Sequence, residues 1–229
     1  MSYASNYDEL DMNNPAPRCP VALLLDTSYS MAGAAIEELK AALAQFLRET
    51  SEDEAAGMSV ELSVITFGGT VDVAMPFAAI ADVDHETPDL VADGATPMGG
   101  AIQMGLDALS RRRQLYQSKG VAAYKPWLVL MTDGEPNDDW QAAAEKARNM
   151  ANNKKLNLIV VGIGPSANMG ILAQISGHQP MKLQGLKFKK FFRWLTDSLR
   201  MVTSGTVSNE EKIRTAPINS FADLTGTRM

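Results

Sequence analysis

Apolar runs and helix-period stretches alternate along most of this 229-residue chain. Residues 20–25, PVALLL, form the unbroken apolar run that a strand covered on both faces requires. Residues 33–49 then place Ile36, Leu39, Leu43, Phe46 and Leu47 at helical spacing. Met58 to Phe67 alternates with period two, so that Val60, Leu62, Val64 and Phe67 share a face, and GGT turns the chain into the short run VDVAM. That run follows too closely for a helical crossover, which predicts an antiparallel hairpin at a sheet edge. Helices near 99–118, 138–152, 167–175 and 187–203 and strands at 127–131 and 156–162 complete the series. Such alternation predicts an α/β fold: a doubly wound, mostly parallel central sheet with one short antiparallel edge strand and helices on both faces.

Length fits one large domain better than two small ones. The pattern bounds that domain at residues 18–205, with extensions at 1–17 and 206–229 that read as loosely held and flexible. A hydrophobic content of 45% is ordinary globular composition. The net charge of −6 conceals an asymmetry, because residues 1–100 carry 17 acids and 3 bases while the remainder is basic. No reading motif joins those bases, so nucleic acid is not the expected partner. The single cysteine, Cys19, precedes a buried-looking strand and reads as a core residue. With an acidic, polar N-terminus and no run of membrane-spanning length, the expectation is a soluble cytoplasmic protein.

Candidate chemistry sits where the strands end. The first apolar run breaks into DTSYS, which offers Asp26, Ser28 and Ser30; a later loop, GATPMGG, offers Thr96; and WLVLMTDGEP breaks at Asp133. In a doubly wound sheet, ligands bind beyond the carboxyl ends of the strands where the winding reverses. Two carboxylates brought together there repel, and a hard cation with hydroxyl and water oxygens relieves that repulsion. Alternate residues of an extended turn point the same way, which directs Asp26, Ser28 and Ser30 inward. The competing reading makes Ser28 and Ser30 turn and helix-cap residues, Thr96 a helix entry and Asp133 an ordinary turn aspartate.

These segments resemble the von Willebrand factor type A domain with its metal-ion-dependent adhesion site (MIDAS). DTSYS matches the DxSxS pattern, ATPMGGA the threonine loop and LMTDGEPND the distal aspartate segment, in that order, within about residues 18–203. PMGGAIQMGLDAL, YKPWLVLMTDGEP and FKKFFRWLTDSL are also similar to the bacterial tellurium-resistance-associated branch, the TerY/YegL-like proteins. The resemblance implies Mg²⁺, with Mn²⁺ or Ca²⁺ as alternatives, held by Asp26, Ser28, Ser30, Thr96 and Asp133. Ser28 and Ser30 would be direct ligands, and the other residues direct or water-mediated ones. A Glu or Asp of a partner protein would fill the open position, in a non-enzymatic binding module. Tyr29 stands where many relatives have glycine.

Two other functional classes compete: a metal-dependent phosphohydrolase built on Asp26 and a scaffold with a vestigial site. Phosphoryl acceptance by Asp26 wants a second aspartate where this chain has Ser28. Serine hydrolysis lacks a GxSxG elbow, a zinc site lacks ligands with one Cys and two His, and both His85 and His178 read as turn residues. GGTVD and VGIGPS lack the phosphate-loop pattern. Glu135, Asn137, Asp138 and Asp139 stand beside the expected ion, as access residues or as a solvated helix start. The late helix carries Phe188, Phe191, Phe192, Trp194 and Leu195 amid bases, as a sheet-sealing face or a membrane-surface one. Arg111, Arg112 and Arg113 read as helix-end cations.

Overall fold

Every residue of β1 (Cys19–Asp26) is buried, and the cause lies in how its side chains divide. In the computed structural model, which describes residues 10–83, 87–205 and 222–223, Val21, Leu23 and Leu25 enter one core while Ala22 and Leu24 enter the other. A strand alternates its side chains across the sheet, so one covered on both sides must be apolar throughout. β1 lies at the centre, with β2 (Val60–Gly68) and β4 (Trp127–Thr132) parallel on either side. β5 (Asn157–Ile163) and β6 (Met181–Leu183) extend the parallel sheet past β4. Antiparallel strands β3 (Thr70–Ala79) and β7 (Ala222–Asp223) form the edges, giving the order β3-β2-β1-β4-β5-β6-β7.

Helices cover both faces. α1 (Ala34–Ser51), α2 (Glu54–Ser59) and α6 (Phe188–Thr203) contribute to one core. α3 (Met98–Lys119), α4 (Gln141–Asn152) and α5 (Met169–Ser176) contribute to the other. The chain leaves β1 over the first face to reach β2, then crosses by α3 on the second face to β4 on the opposite side of β1. This reversal opens a crevice at the carboxyl ends of β1 and β4, and the expected doubly wound architecture is the one observed.

Several elements differ from the sequence pattern. Phe67, expected on the face of Val60, Leu62 and Val64, enters the opposite core, because an odd offset along a strand changes face. β3 runs ten residues, well past VDVAM, with irregular register near Val64. Pro76 lies within it, tolerated because an edge strand need not donate on its open side. Met58 belongs to α2, which is capped by the Asp53 carboxylate accepting from the amides of Ala55 and Ala56. β6 and β7 are too short to announce themselves by periodicity. Arg111 to Arg113 are not at a helix end, because α3 continues to Lys119 and stops at Gly120 with φ 69°. Arg112 instead turns inward and is 4% exposed.

The α6 aromatics seal the sheet: all five apolar side chains are buried, Phe192 packs on Phe46 at 5.1 Å between ring centroids, and Lys189, Lys190 and Arg193 face water. Among the described residues, no helix is long and apolar enough to cross a membrane. Burial, and after it the Glu61 carboxylate, pushes the Cys19 thiol up to about 12, so it stays protonated and unreactive in the fold. His178 is exposed in the turn after α5. His85, residues 1–9 and most of the expected C-terminal extension lie outside the described residues.

At the amino end of the sheet a buried polar network takes the place of core. The Glu61 carboxylate accepts from Arg112 Nε at 2.5 Å and from the Tyr116 hydroxyl at 2.5 Å, and it pairs with Arg18 Nε at 3.2 Å. Arg18 also donates to the carbonyls of Asp11, Asn14 and Ala16, which ties residues 10–17 to the domain.

Candidate metal centre

The crevice at the β1 and β4 ends collects the polar residues that the strand-end motifs singled out. Asp26 ends β1 with no exposed surface. Its Oδ1 accepts from the Ser28 amide at 2.8 Å, the short-range bond that turns an aspartate-led strand end back on itself. Its Oδ2 accepts from the Thr132 hydroxyl at the end of β4. Ser28 is extended, with φ −67° and ψ 167°, so the next side chain on its side is that of Ser30, and the two Oγ atoms stand 3.0 Å apart. Ser30 Oγ donates to Asp133 Oδ1 at 2.6 Å, bridging β1 to the loop after β4.

Thr96 is buried on the remaining side. A Cβ placed on Gly134 would lie 3.2 Å from Thr96 Oγ1 and 3.8 Å from Asp26 Oδ2, so both oxygens border the same small space. The structure therefore brings Asp26, Ser28, Ser30, Thr96 and Asp133 into one crevice. Ser30 does not cap α1: a short 3-10 turn, Tyr29–Met31, intervenes, and Gly33 precedes the helix. That leaves its hydroxyl to Asp133. Thr96 enters α3 through its backbone carbonyl, which accepts from Met98 and Asn137 amides, and its side chain remains on the crevice.

Backbone bonds lock the loops that carry these groups. Thr27 donates to Phe67 and accepts from Asp93, Tyr29 donates to Gly94, and Gly69 donates to Ala95. Gly68 makes this possible, because a Cβ there would stand 2.1 Å from the Thr27 carbonyl oxygen and 2.7 Å from that of Asp93. Gly94, at φ 67°, meets Gly69 backbone to backbone. Gly68→Ala should cost roughly 1–3 kcal/mol by forcing main chain apart, and should weaken cation binding in proportion as the β1 loop shifts. Thermal melts read beside a cation titration check this; a variant equal to wild type in both would refute it.

Electrostatics favour a cation. Burial raises the Asp26 carboxyl above the usual carboxylate range; hydrogen bonds from Ser28 and Thr132 pull it back, and the Asp133 charge adds to the rise. The donor set is all oxygen, with two carboxylates and three hydroxyls, which suits a hard divalent ion. An octahedron of bonds near 2.1 Å has edges of about 3 Å, and the oxygen pairs at 2.6 and 3.0 Å match that spacing. Among the described residues no group of three or more His, Cys, Asp or Glu side chains could hold a metal, so hydroxyl oxygens must complete any site.

Asp138 is engaged by the helix that follows Thr96: its two oxygens accept from the Gly99 and Gly100 amides at 2.9 and 2.8 Å, fastening the start of α3. Glu135 accepts from Asn168 Nδ2 at 2.7 Å. Thr132, which the sequence reasoning passed over, holds Asp26 and also accepts from the Gly134 amide at 3.1 Å. The available signal was a hydroxyl closing a fully buried strand, where it requires a partner.

A doubly wound sheet with an oxygen-lined crevice at its switch point defines the class of domain. The family model for the von Willebrand factor type A domain matches residues 21–191, and the chain belongs to that family. Solved structures share the fold. Proximal thread matrix protein 1 from the mussel byssus, in a form with a zinc-occupied MIDAS motif, aligns with TM-score 0.54 and 16% identity over 80% of this chain and 48% of its own. Manganese-loaded TRAP protein of Plasmodium vivax aligns with TM-score 0.52 and 22% identity over 71% and 64%. The pilus adhesin SpaC of Lactobacillus rhamnosus GG aligns with TM-score 0.63 and 11% identity over 81% and 31%. The chain thus spans less than two thirds of each of these proteins. A comparison with curated proteins finds no match.

Proposed function

We propose that this chain is a divalent-cation-dependent protein-binding module in which Asp26, Ser28, Ser30, Thr96 and Asp133 hold Mg²⁺ and a Glu or Asp of a partner protein completes its coordination. The observation that carries the reading is the run of contacts from Ser28 through Ser30 to Asp133, which gathers hydroxyl and carboxylate oxygens from both strand ends into one crevice. Neutral hydroxyl and water oxygens would fill most of the coordination sphere, and with fewer than two carboxylates bound directly the ion keeps positive charge and stays receptive to an anionic ligand at its open side. Family membership supports this, as do the manganese and zinc that relatives carry.

A phosphohydrolase built on Asp26 is disfavoured. The position two residues on, where phosphoryl acceptance by an aspartate wants a second carboxylate, holds Ser28. We further propose a cytoplasmic, bacterial tellurite- or stress-resistance setting, whose support is the three sequence segments similar to that branch.

Calorimetric titration of the metal-stripped protein with Mg²⁺ and Mn²⁺ tests the proposal. Wild type should bind with one ion per chain, and Asp133→Ala, verified as folded, should lose at least about 100-fold in affinity. In the Mn²⁺ form, millimolar acetate should lower water-proton relaxation as a carboxylate displaces coordinated water. Folded wild-type protein that takes up neither ion would end this reading.

A further inference from the structure

The surroundings of the crevice conflict with the simplest partner. The loops at this end of the sheet, 27–33, 68–72, 87–100, 133–140 and 164–168, contain no Lys or Arg. Asp72, Asp93, Glu135 and Asp139 are all exposed there, on loops joined to the crevice by the backbone bonds described above. Asp72 accepts from Thr70, Asp93 from the Gly94 amide and Glu135 from Asn168, all uncharged donors. Among the described residues none of the four pairs with a Lys or Arg. The next bases along the sheet are Lys182 in β6, two strands from β4, and Lys187, Lys189 and Lys190 where α6 begins.

In sum Asp26 and Asp133 offset the charge of a divalent ion, which leaves the four outer carboxylates, with Asp89 and Asp138 of the same loops, as the net field. Exposed charges within a Debye length of about 10 Å act on an approaching ligand, so a bare acidic segment is repelled by the very face whose ion it must reach. Beside the crevice, Tyr29 is 74% exposed between Ser28 and Ser30. Its amide is held by Gly94, so the ring sits on a fixed backbone, and Val91, 65% exposed, lies three residues before that anchor. An exposed aromatic side chain on a held backbone beside a charged centre can serve as a contact anchor.

We propose, resting on the cation-dependent reading above, that the partner is a peptide segment in which the metal-binding Glu or Asp is flanked by Lys or Arg and carries an apolar side chain for Tyr29. The outer carboxylates receive the flanking cations, so they select the sequence around the acidic residue while the ion receives that residue itself. Charge complementarity thereby supplies both steering and register.

Three synthetic peptides of equal length test this, each with one central Glu and one Leu, flanked by two Lys, two Gln or two Asp. Binding to the Mg²⁺-loaded full chain is read by fluorescence anisotropy, with calorimetric metal binding measured on the same sample. At low salt the Lys-flanked peptide should bind at least about tenfold tighter than the Gln-flanked one, and the Asp-flanked one weakest of all. The advantage should shrink at 0.5 M salt, as surface charges are screened. It should vanish in the variant combining Asp72→Asn, Asp89→Asn, Asp93→Asn, Glu135→Gln and Asp139→Asn, and Tyr29→Ala should weaken all peptides without changing their ranking. Metal binding with equal affinity for the three flanks would overturn this inference and leave the cation-dependent module standing. Binding of the Lys-flanked peptide that survives chelation, or absence of metal binding, would overturn both.

Discussion

Glu61→Ala should lower stability by about 3–5 kcal/mol, the cost of leaving buried charge without its partner. The carboxylate is 2% exposed and sits between Arg18, also 2% exposed, and Arg112, 4% exposed. Removing it takes the carboxylate partner from two buried guanidinium groups and the acceptor from the Tyr116 hydroxyl. Burial opposes the Arg112 charge, the Glu61 carboxylate more than restores it, and the net result lies above the ordinary guanidinium value. The Tyr116 phenol is raised as well, by burial first and then by the same carboxylate, so it serves as a donor and not as a base. Arg112 additionally lies over the rings of Phe77 and Tyr116, at 5.9 and 5.6 Å from their centroids. For a chain of this size the loss corresponds to a midpoint about 6–20 °C lower, followed by tryptophan fluorescence during heating or urea unfolding. Glu61→Gln should recover part of it by keeping volume and one acceptor. A Glu61→Ala variant within 1 °C of wild type would show that the network is solvated in solution.

Asp26→Asn should separate stability from binding. Cation affinity should fall at least about 100-fold, because a buried formal charge facing the ion is lost. Stability of the ion-free protein should move the other way. The folded Asp26 carboxyl is raised, mainly by burial and further by Asp133, so the native state holds its proton more tightly than the unfolded chain does. The stability contributed by such a group is fully present below the ordinary carboxylate range and is lost as pH rises through the raised folded value. Once the carboxyl ionises, the ion-free protein carries a buried charge held only by neutral donors, which asparagine removes. The amide oxygen still accepts from Ser28, and its NH₂ can donate to Thr132, so both local bonds survive in altered polarity. Melts in chelator from pH 4 to pH 8 should show wild type losing stability with rising pH relative to the variant, and saturating Mg²⁺ should restore wild type alone. A variant less stable than wild type at every pH would mean that the ionised carboxylate stabilises the ion-free fold.

These two substitutions also mark where local pattern stopped being informative. Asp26 was legible because its neighbours in sequence are its neighbours in space: an apolar run ends, and DTSYS turns directly after it. Glu61 was not legible. It stands in a strand among Val60, Leu62 and Val64, while its partners come from positions 43 residues earlier and 51 and 55 residues later. Arg112 carries a helix-surface identity on a helix whose buried face it shares with Leu109 and Tyr116. Only the docking of α3 on β2 decides which way that side chain points.

By itself the sequence determined the elements and their order, because apolar periodicity is a local property: β1, β4 and β5 are buried on both sides and read as continuous runs, and α1 reads as a stripe. It also determined that strand ends would carry Asp26, Ser28, Ser30 and Asp133 and that Thr96 would stand at a helix entry, since chain direction and the winding rule send these positions to one end of the sheet. The tertiary structure decided the rest. It gave the Ser30 hydroxyl to Asp133 instead of a helix cap, made Thr132 the clamp on Asp26, and turned Asp138 onto the amides of α3. It also recruited β6 and β7, whose few residues pair only because a sheet edge awaits them. The physical division is one of range: periodicity and turn chemistry act between near neighbours along the chain, whereas the choice of partner for a buried polar group depends on which distant segments arrive beside it.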